Sequence, residues 1–362
     1  MEARCRPQEG LFGRPSAWDD HGRRPISPDW YGFCIRLEGC GSMFVPLAAQ
    51  LYPGADARAP VPEVLVEGLT KRYGDLRAVD AVSFSVARGE IFGLVGPNGA
   101  GKTTTLEILE GLRAPDSGKI VVAGVDVRRN PKALKELVGV QLQATALFER
   151  LTVLETLDVF GALYEKCVPG TDLLKMVHLE EKADEWTEKL SGGQRQRLAV
   201  ALALVNDPRV VFLDEPTTGL DPQARRSLWE VIADLRRTGK TILLTTHYME
   251  EAERLCDRVA IMDHGRFLGL DTPRNLVLSL GQRNAVEFTA KGDAEQYSGL
   301  PGVEDVKVED GHVILYTSTL EATVGAVFQR AQADGADVEG LRIRGASLED
   351  VFIQLTGRRI RE

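Results

Sequence analysis

The chain has 362 residues, 43% of them hydrophobic and 27% charged, the composition of an ordinary globular protein with room for a large core and a second domain. A formal net charge of −9 excludes general affinity for nucleic acid, so no nucleic-acid partner is expected, and excludes adhesion to an anionic membrane surface. No apolar run approaches the roughly 20 residues needed to cross a bilayer, so any work at a membrane requires another chain to do the spanning.

Residues 1–60 carry Pro7, Pro15, Pro25, Pro28, Pro46, Pro53 and Pro60, many glycines, and no sustained period of 2 or 3.6. They are expected to form a leader outside the fold, with translation beginning at Met43 as the alternative. The order of a secretory signal is lacking. Cys5, Cys34, Cys40, Cys167 and Cys256 form no C-x-x-C pair and no cluster with histidine, a pattern of free thiols.

Order is expected from Glu63. Val64–Val66, Ala81–Val86 and Glu90–Val95 read as strands separated by turn-rich segments. Tyr73, after the first of these, either packs as an ordinary strand residue or offers its face to a flat heterocycle. The apolar run Ile91–Val95 then leads into Gly96-Pro97-Asn98-Gly99-Ala100-Gly101-Lys102-Thr103-Thr104, and a helix follows. In that context G-x-x-x-x-G-K-[ST] is a phosphate cradle, because its glycines let backbone N–H groups converge on phosphate oxygens at a positive helix end. Lys102 is placed to reach the β- and γ-phosphates, and the Thr103 hydroxyl to ligate Mg²⁺.

Ile120–Gly124 is a further strand, and Asn130-Pro131 reads as an N-cap followed by proline at the first helical position. Leu137–Gln143 reads as a strand ending in glutamine. Thr152-Val153-Leu154-Glu155 fits a capping box opening a helix to about Glu165, and the pattern stays helical to Leu190. Ser191, Gly192, Gly193 and Gln194 then stand at the start of a helix reaching Val205. They suit either a second phosphate-binding surface or a plain serine cap.

Val210–Leu213 is the run of a strand buried on both faces, and it ends in Asp214 and Glu215. Two adjacent carboxylates at the carboxyl end of such a strand, where open α/β sheets place ligands, suit water-mediated Mg²⁺ binding by Asp214 and polarisation of an attacking water by Glu215. Asp221-Pro222 caps a helix reaching Arg237. Thr241–Thr246 is another buried strand, ending in His247, whose role on residue chemistry alone is evenly split between structure and function.

These segments resemble the nucleotide-binding domain of ATP-binding cassette (ABC) proteins over residues 63–280, and the Leu190-Ser191-Gly192-Gly193-Gln194 signature carries the resemblance. It implies an α/β P-loop NTPase with a RecA-like core, an antiparallel β subdomain and a helical subdomain over about 146–200, within a nucleotide-binding domain of residues 61–282. It also implies ATP and Mg²⁺ as ligands, Tyr73 stacking on adenine, and Gln143, with Gln141 as a competitor, sensing Mg²⁺ and water. Glu215 is then the catalytic base, His247 the γ-phosphate switch, and Asp221 the link between two active sites. Ser191, Gly192 and Gly193 of a second protomer would close on ATP held at Lys102.

After residue 282, Ala285–Thr289, Val303–Val308, His312–Thr317 and Val338–Ile343 read as strands and Leu320–Ala333 as a helix, a small α+β accessory domain over 283–362. The closing Ser347–Gly357 resembles the tail of daunorubicin-resistance-type exporter ATPases. That resemblance implies a separate integral membrane permease, a place on the cytoplasmic face of the membrane, and efflux of a drug, antibiotic or lipid. The accessory domain shows no nucleotide or metal chemistry, which leaves regulation, dimer contacts, permease docking or a purely structural accessory role as its expected part. Two competing readings leave features unexplained. A soluble cassette acting on translation or DNA would call for two cassettes or a long coiled-coil insertion, and a small-molecule P-loop kinase has no use for the signature or Asp221.

Overall fold

The computed structural model describes residues 61–143, 147–279, 284–289, 294–309, 312–334 and 338–357. The expected leader, Met43 included, lies outside the described residues. Of the cysteines, Cys167 and Cys256 are described, and both are free thiols.

The first unit of structure is a hairpin, β1 (Val64–Tyr73) and β2 (Leu76–Val86), longer than the apolar runs that announce it. Its tip, where the hydropathy pattern fades, stays ladder-bonded with Tyr73 paired to Leu76. With β4 (Ser117–Val122) and β5 (Val125–Asp126) the hairpin forms a four-stranded antiparallel sheet of order β2-β1-β4-β5.

The second sheet has six strands. β3 (Ile91–Val95) lies between β8 (Thr241–Thr246) and β9 (Arg258–Asp263), with β7 (Val210–Asp214) and β6 (Val138–Gln141) beyond β8. β6, β7, β8, β3 and β9 run parallel, and β10 (Arg266–Asp271) closes the edge antiparallel to β9. Every residue of β3, β7 and β8 is buried, which accounts for the apolar runs of β3 and β7 and for Ile242–Leu244 at the centre of β8.

α1 (Lys102–Leu109) lies between the two sheets, with Leu106, Ile108 and Leu109 in the same cluster as Phe84, Phe92 and Phe212. The opposite face of the six-stranded sheet carries a second cluster built with helices. α2 (Pro131–Lys135) has the expected Asn130 cap. Between β6 and β7 come α3 (Val153–Gly161), α4 (Gly170–Met176) and α5 (Gly192–Leu202). α3 has the capping box of Thr152 and Glu155 but stops short of Glu165, and α5 stops at Leu202 rather than Val205. α6 (Pro222–Arg237) is capped by Asp221, and α7 (Met249–Leu255) and α8 (Pro273–Leu278) follow.

A third, antiparallel sheet has the order β12-β13-β11-β14, from β11 (Asn284–Thr289), β12 (Val303–Glu309), β13 (His312–Thr317) and β14 (Glu339–Gly345). With α9 (Leu320–Asp334) these match the expected elements to within a residue or two. The last helix, α10 (Leu348–Thr356), does not belong to this sheet alone. Its Leu348, Val351 and Phe352 are buried in the cluster that holds Leu255, Cys256 and Leu276. The tail is therefore packed into the core beside α7 and α8. Among the described residues, no helix is long and apolar enough to cross a membrane.

Candidate active site

Strand order decides the site. β3, β8, β7 and β6 are neighbours and parallel, so the segments leaving their carboxyl ends converge on one edge of the sheet. Those segments are the glycine loop, His247, Asp214 with Glu215, and the chain leading to Gln143. A cleft of about 480 Å³ opens there, lined by Tyr73, Asn98, Gly99, Gly101, Lys102, Thr103, Thr104, Gln143 and Glu215.

The loop can take this path only with glycine at two tight points. A Cβ on Gly96 would stand 2.1 Å from the Met262 carbonyl oxygen, and one on Gly101, at φ 106°, would stand 2.2 Å from that of Ala78. The β9–β10 turn braces the loop from behind, with the Gly265 N–H donating to the Ala100 carbonyl at 2.9 Å. Lys102 is buried, and its Nζ donates to the carbonyls of Gly96 (2.8 Å) and Pro97 (3.1 Å). Burial lowers the Lys102 pKa despite the pull of Glu215 and Asp214.

Asp214 closes β7 and accepts from Thr103 Oγ1 (3.3 Å) and Thr245 Oγ1. Burial pushes its carboxyl above the usual range against those two hydrogen bonds. Glu215 begins the turn that follows, at φ 47°, a left-handed conformation that costs a non-glycine residue about 1–3 kcal/mol. Its N–H donates to the Thr245 hydroxyl at 2.9 Å, and this reversal aims the carboxylate into the cleft. There Oε1 lies 3.2 Å from Lys102 Nζ and Oε2 lies 3.2 Å from His247 Nδ1. Burial raises its pKa, but Lys102 and His247 together outweigh that and hold the carboxyl below its ordinary value. The Glu215 carboxylate is thus ionised at neutral pH, as a proton acceptor must be.

Gln141 and Gln143 separate cleanly. Gln141 ends β6, is buried, and donates its side-chain amide to the Leu142 carbonyl. Gln143 lies two residues past the strand end and lines the cleft. The Tyr73 ring is 39% exposed, with the Arg113 guanidinium 5.4 Å and the Lys71 ammonium 5.7 Å from its centroid. Its face is therefore partly available at the cleft rather than packed in a core.

Two groups stand apart from this cleft. Ser191 caps α5, its Oγ accepting from the Gln194 N–H at 3.3 Å while the Gln194 side chain accepts from the Ser191 N–H at 2.9 Å. Ser191 and Gly192 face outward, Gly193 lies against Ala224 of α6, and none of the four signature residues lines the cleft. Asp221 is likewise exposed and occupied as a cap, accepting from the N–H groups of Gln223 and Ala224.

Sequence reading missed several neighbours. Thr245, which bridges Asp214 to the backbone of Glu215, is one of three threonines in β8, and only its register opposite Asp214 marks it. Arg113 is four residues past the end of α1. His264 and Gly265 belong to a turn whose Asp-His-Gly sequence fits a hairpin but does not announce contact with the glycine loop.

Residues 79–218 match the family profile of the ABC transporter, and residues 279–356 match the C-terminal domain of the DrrA1-3-like ATP-binding proteins. The Nod factor export ATP-binding protein I of Ralstonia nicotianae is 44% identical over 313 residues, covering 83% of this chain and 96% of the relative. The protein of that name from Paraburkholderia xenovorans is 43% identical over 312 residues, 83% of this chain and all of the relative. The chain belongs to the ATP-binding proteins of ABC transporters. Solved ABC cassettes agree in fold. The cbiO1 protein of Clostridium perfringens, part of the cbiONQ ABC transporter complex, is 30% identical with a TM-score of 0.55 over 59% of this chain and 90% of that one. A dimeric cassette in a post-hydrolysis state bound to ADP and Pi is 27% identical with a TM-score of 0.52 over 58% and 98%. The present chain is an ABC ATPase, a P-loop NTPase with the DrrA-like domain at its C-terminal end.

Proposed function

We propose that this ABC ATPase is the energy-supplying subunit of an export system, acting on the cytoplasmic face of a membrane through a separate integral permease. The observation that carries the hydrolytic part is the position of the Glu215 carboxylate, at the cleft on a turn with φ 47° and 3.2 Å from both Lys102 Nζ and His247 Nδ1. Tyr73 offers its face to adenine. The glycine loop from Gly96 to Thr104 encloses the phosphates, and Lys102 moves from its carbonyl partners onto phosphate oxygen. Glu215 takes the proton of the attacking water, while His247 and Gln143 orient the γ-phosphate and that water.

Thr103, Asp214 and Gln143 suit Mg²⁺. Thr103 Oγ1 lies 3.3 Å from Asp214 Oδ1, Thr103 and Gln143 both line the cleft, and among the described residues no group of three or more His, Cys, Asp or Glu could hold a metal ion by itself. This fits an ion that keeps waters and is shared with substrate phosphates. Bound there, Mg²⁺ would neutralise charge developing on the phosphates.

The outward-facing signature supports action in pairs. Ser191, Gly192, Gly193 and Gln194 of one protomer complete the cleft of a second copy, and Asp221 links the two sites. ATP then binds the closed pair better than the open one, which is what lets it drive closure. The export direction, and a small organic cargo such as a drug, an antibiotic, a lipid or a Nod factor, are supported by the names of the relatives and the DrrA-like domain.

Glu215→Gln tests the hydrolytic reading. It should retain ATP binding, accumulate an ATP-bound dimer on size exclusion, and slow phosphate release about 100-fold or more. Release within twofold of wild type removes Glu215 as the base. Lys102→Ala should instead weaken ATP affinity. Co-purification with a co-expressed candidate permease tests the pairing.

A further inference from the structure

Glu251 of α7 is fully buried and takes no part in the chemistry described above. A buried acid in a cluster otherwise built of leucine, valine and isoleucine is unfavourable unless several donors hold it. The groups that face it come from α6, from the end of β8 and from the turn after β7. The Trp229 indole of α6, the helix that Asp221 opens, donates Nε1–H to Glu251 Oε1 at 3.0 Å. The hydroxyl of Thr246, the residue before His247, and that of Thr217, in the turn from Glu215 to Asp221, face the same carboxylate. Arg225, also on α6, is the nearby positive charge, and its guanidinium lies 4.1 Å from the Tyr248 ring centroid. That ring in turn packs 4.1 Å from the His247 ring.

Glu251 Oε2 and Thr217 Oγ1 are both buried without a hydrogen bond of ordinary geometry, although the two side chains face each other. The turn carrying Glu215 thus meets this carboxylate through the Thr217 side chain, without a closed hydrogen bond.

We propose that Glu251 is a positioning residue, holding the His247 end of β8 and the Glu215–Asp221 turn in one register for hydrolysis. It touches no reacting atom. The assignment rests on the reading of Glu215 and His247 as hydrolytic groups, and the two can fail separately.

The test is steady-state hydrolysis of MgATP by the full chain, with rates normalised to nucleotide-binding sites. Glu251→Ala should lower kcat about tenfold while KM stays within about twofold, because displacing a distant support misplaces groups needed only in the transition state. Glu251→Gln keeps the Trp229 bond and should restore kcat to within about threefold of wild type. In a His247→Ala background, Glu251→Ala should change the residual rate less than about twofold, since the group it positions is gone. A purely structural role would give equal factors in both backgrounds, and that result overturns the proposal, as does a glutamine variant no better than alanine. Should Glu251→Ala not fold, Thr217→Val removes the hydroxyl that faces Glu251. It should lower kcat about threefold at constant KM, and unchanged kcat overturns the proposal. If Glu215→Gln and His247→Ala keep wild-type turnover, the hydrolytic reading itself fails. If they lose it and the Glu251 variants do not, only the positioning role fails.

Discussion

Two buried carboxylates, Glu215 and Asp350, show how the molecule separates chemistry from scaffolding. Asp350, the third residue of α10, accepts from Tyr316 Oη (2.7 Å), both terminal nitrogens of Arg344, and the N–H and Oγ of Ser347 (2.8 Å each). A carboxylate has about four lone-pair sites, so this one is saturated and can accept nothing more. Its backbone is an ordinary helix. Glu215 has fewer partners, two of them ionisable, at the edge of a cleft, on a backbone in the left-handed region. Saturation marks a lock, whereas partial engagement with strain marks a group kept ready for a substrate.

Breaking the lock should give the largest effect on stability. Asp350→Ala leaves the Arg344 guanidinium without its main partner and should destabilise the chain by about 3–5 kcal/mol in urea unfolding. Because α10 is packed with α7 and α8, the loss should appear in the main transition and not only in the C-terminal sheet. KM for ATP in the folded fraction should stay within about twofold. The pH dependence follows from the sign of the shift. Burial raises the Asp350 pKa, but its bonds to Arg344 and Tyr316 outweigh that and hold it below the ordinary 3.8. Its stabilisation is therefore complete above about pH 4 and fades as pH falls through the lower folded-state value. Glu215→Gln, by contrast, should stop turnover while costing less stability than Asp350→Ala, since its amide oxygen can still accept from Lys102.

Glu110 is a third kind of buried acid. It closes α1 in the core, neither carboxyl oxygen has a hydrogen-bond partner, and burial with Asp214 and Glu107 nearby pushes its pKa up to about 8. Since the ordinary value is 4.5, the folded chain holds a proton between pH 4.5 and about 8 that the unfolded chain releases. Stability falls across that window as pH rises and levels off above it. Glu110→Gln removes the effect. Its gain over wild type should be small at pH 5 and grow to about 2 kcal/mol or more at pH 8, read as unfolding midpoints at the two pH values.

Which of these roles the sequence discloses depends on whether they are local. The glycine loop, the apolar strands ending in Asp214-Glu215 and His247, and the caps at Asn130, Thr152, Ser191 and Asp221 are set by contiguous residues, and the folded elements reproduce them. Gln141 and Gln143 both stand as candidates in sequence, and only the end of the strand at Gln141 leaves Gln143 to line the cleft. Tyr316, Arg344 and Asp350 meet only because β13, β14 and α10 fold together, and Glu251 looks in sequence like one more acid in a charged helical stretch. Helix ends were overestimated at Glu165 and Val205 because the hydropathy period continues past the last helical hydrogen bond. The packing of α10 into the core has no local signal.

Ser191 lies between lock and chemistry, since its hydroxyl already caps α5. Ser191→Ala should cost about 1 kcal/mol of stability. Ser191→Asp restores a cap oxygen but brings negative charge to a surface proposed to face phosphate, so it should recover stability and not turnover. Recovery of both by aspartate would reduce Ser191 to a cap and remove the signature from the second protomer's site.

The smallest effect belongs to Tyr73. Its two neighbouring cations are already committed, Lys71 to Asp116 at 3.0 Å and Arg113 to Glu107 at 2.6 Å, so neither depends on the ring for a partner. With the side chain 39% exposed at the tip of the β1–β2 hairpin, its loss removes little packing. Tyr73→Leu should therefore leave the unfolding midpoint within about 0.5 kcal/mol of wild type. ATP affinity is a different matter if the face stacks on adenine. Leucine should weaken binding by about 0.5–1.5 kcal/mol, roughly 2- to 13-fold, while Tyr73→Phe, which keeps the ring, should stay within about twofold. Equal affinity for the leucine and phenylalanine variants in a nucleotide titration would leave the ring as plain hairpin surface. The glycine loop would then hold the nucleotide by its phosphates alone, and GTP should bind as well as ATP.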